Sequence, residues 1–325
     1  MMNPSVSIRA GRVEGRTIDG VDSFLGIPYA APPFGERRFL PPQPVEPWVG
    51  VRQADAFGPT APQQEGASPG GLPDVVEPII AGDDILNLNV WAPSARTAPL
   101  PVLVWIHGGG FFAGCSANPW YDGASFARQG LVVVSINYRL GAEGFLQLED
   151  APANRALLDW VAALEWVRDD IAAFGGDPAR VTVFGQSAGG DSVMSLMLCP
   201  DSSGLFTRAI LQSAPLGLSS GRPAMAEAML AAATASLSGV PALQADVAQL
   251  LDAQLAAART AQQFGRLGLM PFAPILGFAP LPSAADVDAR IADAAARIEI
   301  LVGYTRADAR PFVAMDPRGN RLPQA

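Results

Sequence analysis

The residues best equipped for chemistry are one serine and three glycines, each placed at the end of an apolar run. Residues 181–186 (VTVFGQ) lead into Ser187, and Ala188, Gly189 and Gly190 follow. A hydrolytic serine must stand clear of its backbone, and a sharp, strained turn between a strand and a helix does this. Gly185 and Gly189, two residues to either side, let the neighbouring backbone close up without Cβ clashes. Residues 188–198 read as a helix, with Val193, Met194, Leu196, Met197 and Leu198 apolar and Pro200 just past its end. The bland alternative is a turn of small residues, which leaves the flanking strand and helix unexplained.

A second apolar run, residues 101–106 (PVLVWI), ends in His107 and then Gly108, Gly109 and Gly110. Consecutive glycines let two backbone N–H groups point into one small volume, where the anion of a tetrahedral intermediate can be held. The remaining donor is the N–H of the residue after the nucleophile, here Ala188. Alone, the glycines are equally well read as a flexible loop; beside the serine elbow they are read as an oxyanion hole.

The chain resembles the type-B carboxylesterases of the α/β-hydrolase fold, most closely their bacterial para-nitrobenzyl-esterase branch. The likeness runs from near the start to about residue 305. It is carried by blocks at 24–35 (FLGIPYAAPPFG), 38–39, 88–93 (LNVWAP), 107–111 (HGGGF), 121–123, 137–141 (NYRLG) and 144–146. Further blocks lie at 163–168 (ALEWVR), 174–178 (FGGDP), the elbow, and 209–213 (AILQS). The resemblance implies Ser187 as nucleophile and Gly109, Gly110 and Ala188 as oxyanion donors, with no cofactor and no metal. It puts Asp308, within residues 303–309 (GYTRADA), where the family has a triad glutamate. Aspartate can orient an imidazole too, but it is one methylene shorter, and a solvated loop carboxylate is the competing reading.

The departures are informative. The family's catalytic histidine follows the acid, yet no histidine occurs after Asp308, and the sequence contains one in all, His107. That residue is assigned to shaping the oxyanion loop, not to the triad. Losing the base from a serine triad costs about 10⁶ in turnover. Two functions therefore compete. One is a carboxylic ester hydrolase working through an acyl-serine, impaired here and completed by a C-terminal segment or a separate polypeptide. The other is an inactive hydrolase-fold binding module or a gene fragment. Gln186 replaces a glutamate common in the family, and Arg38, Asp83, Asp84 and Arg139 are expected in ion pairs that shape loops. Phe111, Phe112, Trp120 and Phe145 are read as core first and as pocket walls second.

Composition agrees. The sequence has 325 residues, 49% of them hydrophobic, enough for one large core. A net charge of −9, with all 22 cationic side chains arginine, argues against nucleic acid or an anionic membrane as partner and leaves a small ester. The start lacks a signal-peptide pattern and no apolar run reaches the ~18 residues of a membrane span, so the expected location is the cytoplasm. Cys115 and Cys199 are expected to be packed thiols, since the family's disulfide block is Gly82–Leu86 without cysteine.

Strands are expected at 85–92, 101–107, 131–137, 181–186, 208–213 and 298–304, and a long helix at 155–174, as a mostly parallel central sheet flanked by helices requires. Pro/Gly-rich stretches at 28–47 and 58–73 are surface loops. Residues 224–263 read as a helical cap-like insertion within a single domain spanning 1–325. The fold's last strand and C-terminal helix are expected to be lacking, so that the apolar run at 298–302 forms an uncovered, aggregation-prone edge.

Overall fold

The computed structural model describes residues 3–64, 77–218, 222–308 and 310. An eight-stranded sheet runs through the molecule. Its parallel part comprises β7 (Leu100–Ile106), β8 (Val132–Ile136), β9 (Gly176–Gln186), β10 (Arg208–Gln212) and β11 (Glu299–Gly303). Strands β6 (Asn87–Pro93), β4 (Val21–Pro28) and β3 (Arg16–Ile18) extend it antiparallel, in the order β11-β10-β9-β7-β8-β6-β4-β3. Strands β1 (Ser5–Ile8), β2 (Gly11–Glu14) and β5 (Val51–Gln53) make a separate small sheet. All five residues of β8 are buried, as are Val102, Val104 and Ile106 of β7, because helices cover both faces.

All six expected strands are present. The five N-terminal ones were not foreseen. Four of them are three or four residues long and interleave charged residues such as Arg12, Glu14 and Arg16 with single apolar ones, too little periodicity to announce a strand, whereas β4 spans eight residues with Val21, Phe24 and Ile27 buried.

Two short helices, α1 (Ala124–Ala127) and α2 (Gly141–Phe145), precede α3 (Arg155–Asp170), which continues as a 3₁₀ turn to Phe174 and stops at Gly175 with φ 84°. The elbow helix α4 (Ala188–Leu198) has the expected limits. The stretch 224–263 is two helices, α5 (Pro223–Ser236) and α6 (Val247–Ala261), the second opened by a capping box between Asp246 and Gln249. The Gln254 side chain of α6 accepts from the Ala142 N–H at 3.0 Å, tying the pair to α2. Helix α7 (Val287–Ala295) packs on α4 and leads into β11.

The charged residues behave as follows. Arg139 and Asp159 are fully buried, joined by Nε–Oδ2 at 2.9 Å and Nη2–Oδ1 at 2.6 Å. Arg38 meets Glu143 at 3.1 Å, both buried, and Asp84 meets Arg52 in a partly exposed pair. Asp83 departs from expectation: it is exposed and in none of the ion pairs among the described residues. Arg155 is buried against carbonyls alone, donating to Ala142, Glu143, Leu146 and Pro152, and lies over the Phe39 ring.

Strand β11 pairs with β10 at one edge of the sheet, and Ile300, Leu301 and Val302 are exposed there. The expected absence of a final strand and helix, and the loop residues 65–73, lie outside the described residues.

Candidate active site

The topology brings the two motifs together. After β7 the chain crosses to β8 on one side and returns to β9 on the other, so the ends of β7 and β9 lie side by side. In a parallel sheet, this crevice beyond the strand ends, where the direction of crossing reverses, is where ligands bind. Ile106 is in register with Gly185, which sets His107 and Gly108 against Gln186 and Ser187. A Cβ placed on Gly108 would meet the Gln186 carbonyl at 2.7 Å and the Ser187 Cβ at 3.4 Å.

Ser187 has φ 57° and ψ −124°, a region that non-glycine residues avoid. Surrounding contacts hold it there. Its N–H donates to the Gln212 carbonyl at 2.9 Å, and its carbonyl accepts from Asp191 N–H at 3.1 Å. A Cβ on Gly185 would meet Gly189 at 2.5 Å, and one on Gly189 would meet the Ile106 carbonyl at 2.1 Å, so neither position admits a larger residue without movement. Ala188 occupies the first turn of α4, where backbone N–H groups have no partner within the helix. Among the described residues, neither Gly109 nor Gly110 donates its N–H to another backbone group. The loop closes on itself instead: the Gly109 carbonyl accepts from the N–H groups of Phe112 and Ala113 at 3.2 and 3.1 Å.

His107 is buried beside this loop. Its ring stacks on Tyr138 at 4.4 Å, and the Tyr138 hydroxyl donates to the His107 carbonyl at 2.9 Å. Nδ1 lies 2.7 Å from the Gly108 carbonyl, which can only accept, so Nδ1 carries the proton. Burial lowers its pKa from 6.5 to about 4, and the imidazole is neutral. This has a consequence for acid stability. Above pH 6.5 the ring is neutral folded or unfolded. As pH falls the unfolded chain is protonated first, and the folded state loses about 3 kcal/mol by about pH 4. His107→Asn, which offers an amide N–H to the same carbonyl, should flatten urea midpoints over that range; an unchanged slope would show that other groups set it.

Asp308 lies on the loop after β11, partly exposed. Its Oδ1 accepts from the Thr305 hydroxyl at 2.7 Å, and that bond first, then one to Ser213, holds the carboxyl below its usual range. Ser213 itself has φ 50° and donates its N–H to the Gly303 carbonyl at 2.7 Å, linking the ends of β10 and β11. Its place here was not read from the sequence, although it ends the block at 209–213. Gln186 is exposed.

Of the four aromatics, Phe111 is buried, and Phe111 and Phe145 pack with Trp160. Phe145 also walls a small hollow with Met225, Met229 and Phe272. Phe112 is half-buried under Gly110, and Trp120 is 73% exposed, so it is a wall of nothing enclosed. Cys115 and Cys199 are buried free thiols, and burial pushes Cys115 up to about 12. Among the described residues no helix is long and apolar enough to cross a membrane.

Comparison with known proteins agrees with this geometry. The family model described as Carboxylesterase family matches residues 2–325. The chain is 40% identical to the para-nitrobenzyl esterase of Bacillus subtilis (strain 168), covering 97% of this chain and 65% of that protein. It is 38% identical to the fumonisin B1 esterase of Sphingopyxis macrogoltabida, covering 94% of this chain and 56% of that one. A crystal structure of a Geobacillus stearothermophilus carboxylesterase superimposes with a TM-score of 0.82 at 39% identity, over 98% of this chain and 66% of that one. The chain thus spans less than two thirds of its curated relatives' length. Strand order, elbow, glycine loop and these likenesses agree: the chain belongs to the carboxylesterase family, with an α/β-hydrolase fold.

Proposed function

We propose that the chain carries the nucleophile and oxyanion half of a serine carboxylic-ester hydrolase that acts on small esters through an acyl-Ser187 intermediate. The observation that carries this reading is Ser187 held at φ 57° against Gly108. Such strain persists only where the surroundings enforce it, and a simple binding module has no use for it. Gly109, Gly110 and Ala188 would donate to the developing oxyanion, and Asp308 would orient the base. The pair α5 and α6 would cap the site within a single domain.

The base itself is the weak link. His107 is the one histidine in the sequence, and its Nδ1 proton is committed to Gly108. A histidine on a C-terminal segment or on a separate polypeptide would complete the triad. Without it, turnover falls by about 10⁶, or roughly 8 kcal/mol of transition-state stabilisation. The two unpaired thiols suit a reducing compartment such as the cytoplasm.

The test is modification by a fluorophosphonate, located by peptide mass. We expect modification at Ser187 alone, over hours at neutral pH, faster at high pH or with added imidazole, which substitutes for the base. Modification elsewhere would overturn the nucleophile assignment. Complete modification within minutes at neutral pH would show that the chain holds a base of its own.

A further inference from the structure

Gln63 was given no role by any motif, and it lies 51 residues before the backbone it holds. Its side chain is buried, 6% exposed. Its Oε1 accepts from the Gly114 N–H at 2.9 Å, and its Nε2 donates to the Gly114 carbonyl at 3.1 Å. Nε2 also lies 3.4 Å from the Ala61 carbonyl. One primary amide thus satisfies both backbone groups of a single residue, as a neighbouring strand would.

Gly114 is not an arbitrary target. It has φ +108°, and a Cβ there would meet the Gly108 carbonyl and His107 Nδ1, each at 2.6 Å. The backbone of Gly114 therefore lies directly on the His107–Gly108 unit that starts the glycine loop. The loop's other ties are His107 Nδ1 to the Gly108 carbonyl at 2.7 Å, the two bonds to the Gly109 carbonyl at 3.1 and 3.2 Å, and the Phe111 carbonyl, which accepts from the Gly141 N–H at 2.7 Å. Three glycines give this segment little stiffness of its own. A donor that must wait for an oxyanion has to be held in place beforehand.

We propose that Gln63 is a positioning residue for the oxyanion loop: its amide clamps Gly114 and, through it, fixes Gly108 and the N–H groups of Gly109 and Gly110. It touches no reacting atom. The proposal deepens the esterase reading and rests on it only for its chemical consequence; the clamp itself is a statement about loop order.

The experiment compares the full chain with Gln63→Met, which fills the same space and makes neither bond, and with Gln63→Glu, which keeps the acceptor and loses the donor. Hydrogen exchange by mass spectrometry reads loop order without needing a reactive serine. Exchange of peptides covering 108–116 should rise at least tenfold in Gln63→Met, with peptides from β8 and α4 unchanged. Gln63→Glu should be as loose or looser, because a carboxylate oxygen would face the Gly114 carbonyl. The second readout is fluorophosphonate modification of Ser187 at high pH with imidazole, expected to slow about ten- to hundredfold, as small misplacements of catalytic groups do. Wild-type exchange and rate in Gln63→Met would overturn the proposal. Should Gln63→Met fail to fold, Gln63→Glu decides it by the same two readouts. If the unaltered chain is never modified at Ser187, the esterase reading fails, while the exchange data still decide the clamp.

Discussion

Asp159→Ala should lower the stability of the chain by about 3–5 kcal/mol, the largest loss expected from any single side chain outside the glycine turns. Asp159 and Arg139 are each 0% exposed. The carboxylate takes three bonds from Arg139: from Nε, from Nη2 and from the backbone N–H at 3.1 Å. Removing it leaves a guanidinium that cannot lose its proton at ordinary pH, buried with only the carbonyls of Leu40 and Arg155 to accept from it. A domain's whole stability is about 5–15 kcal/mol, so the urea midpoint should fall by a large fraction. The pair as a unit is a different matter. Arg139→Met with Asp159→Leu removes both charges and fills the space, and buried pairs replaced in this way often cost little. The double variant should therefore recover much of the loss. A single variant within 1 kcal/mol of wild type would mean that water reaches the pair on local opening.

Gly109→Ala should slow fluorophosphonate modification of Ser187 by about 10²–10³, the effect of losing one oxyanion donor. Gly109 has φ +113°, which an L side chain rarely adopts, and its Cβ would fall 2.0 Å from the Ala113 carbonyl oxygen. That oxygen belongs to the backbone of the same loop, so relief requires the loop to move and to carry the Gly109 and Gly110 N–H groups with it. Gly110→Ala offers a control. Its φ of 62° lies in the left-handed region that other residues can enter, and the nearest obstacle is the Phe112 ring at 2.7 Å, a side chain that can turn. Its effect should be at least tenfold smaller. Equal rates for the two variants would argue that the glycines supply flexibility and not aimed donors. Rates are compared at high pH with imidazole, so that proton removal is common to all.

The elbow and the glycine loop were legible in the sequence through local rules. A strand, a strained serine and a helix occupy consecutive residues, and the Gly185 and Gly189 spacing states the clash that the structure shows. What the sequence could not disclose depends on contacts across long separations. Gln63 reaches Gly114, Ser213 reaches Asp308, and Glu143 reaches Arg38, and no local pattern names any of these partners. The N-terminal strands were invisible for a related reason. A three-residue strand such as β3 exists because β4 pairs with it, not because its own residues prefer extension. The family resemblance supplied the ion pairs of Arg38 and Arg139 in outline and misjudged Asp83, whose place on an exposed turn no motif records.

The stacking of His107 on Tyr138 has a practical consequence. With one histidine in 325 residues, the chain has a single imidazole Cε1–H resonance in a proton spectrum. The Tyr138 ring, 4.4 Å away and inclined by 19°, should shift that signal strongly upfield by its ring current. The Nδ1 proton, bonded to the Gly108 carbonyl, should exchange slowly enough to be seen. The base of the glycine loop therefore comes with its own spectroscopic label, and any ligand that tilts the loop can be followed there without modifying the protein.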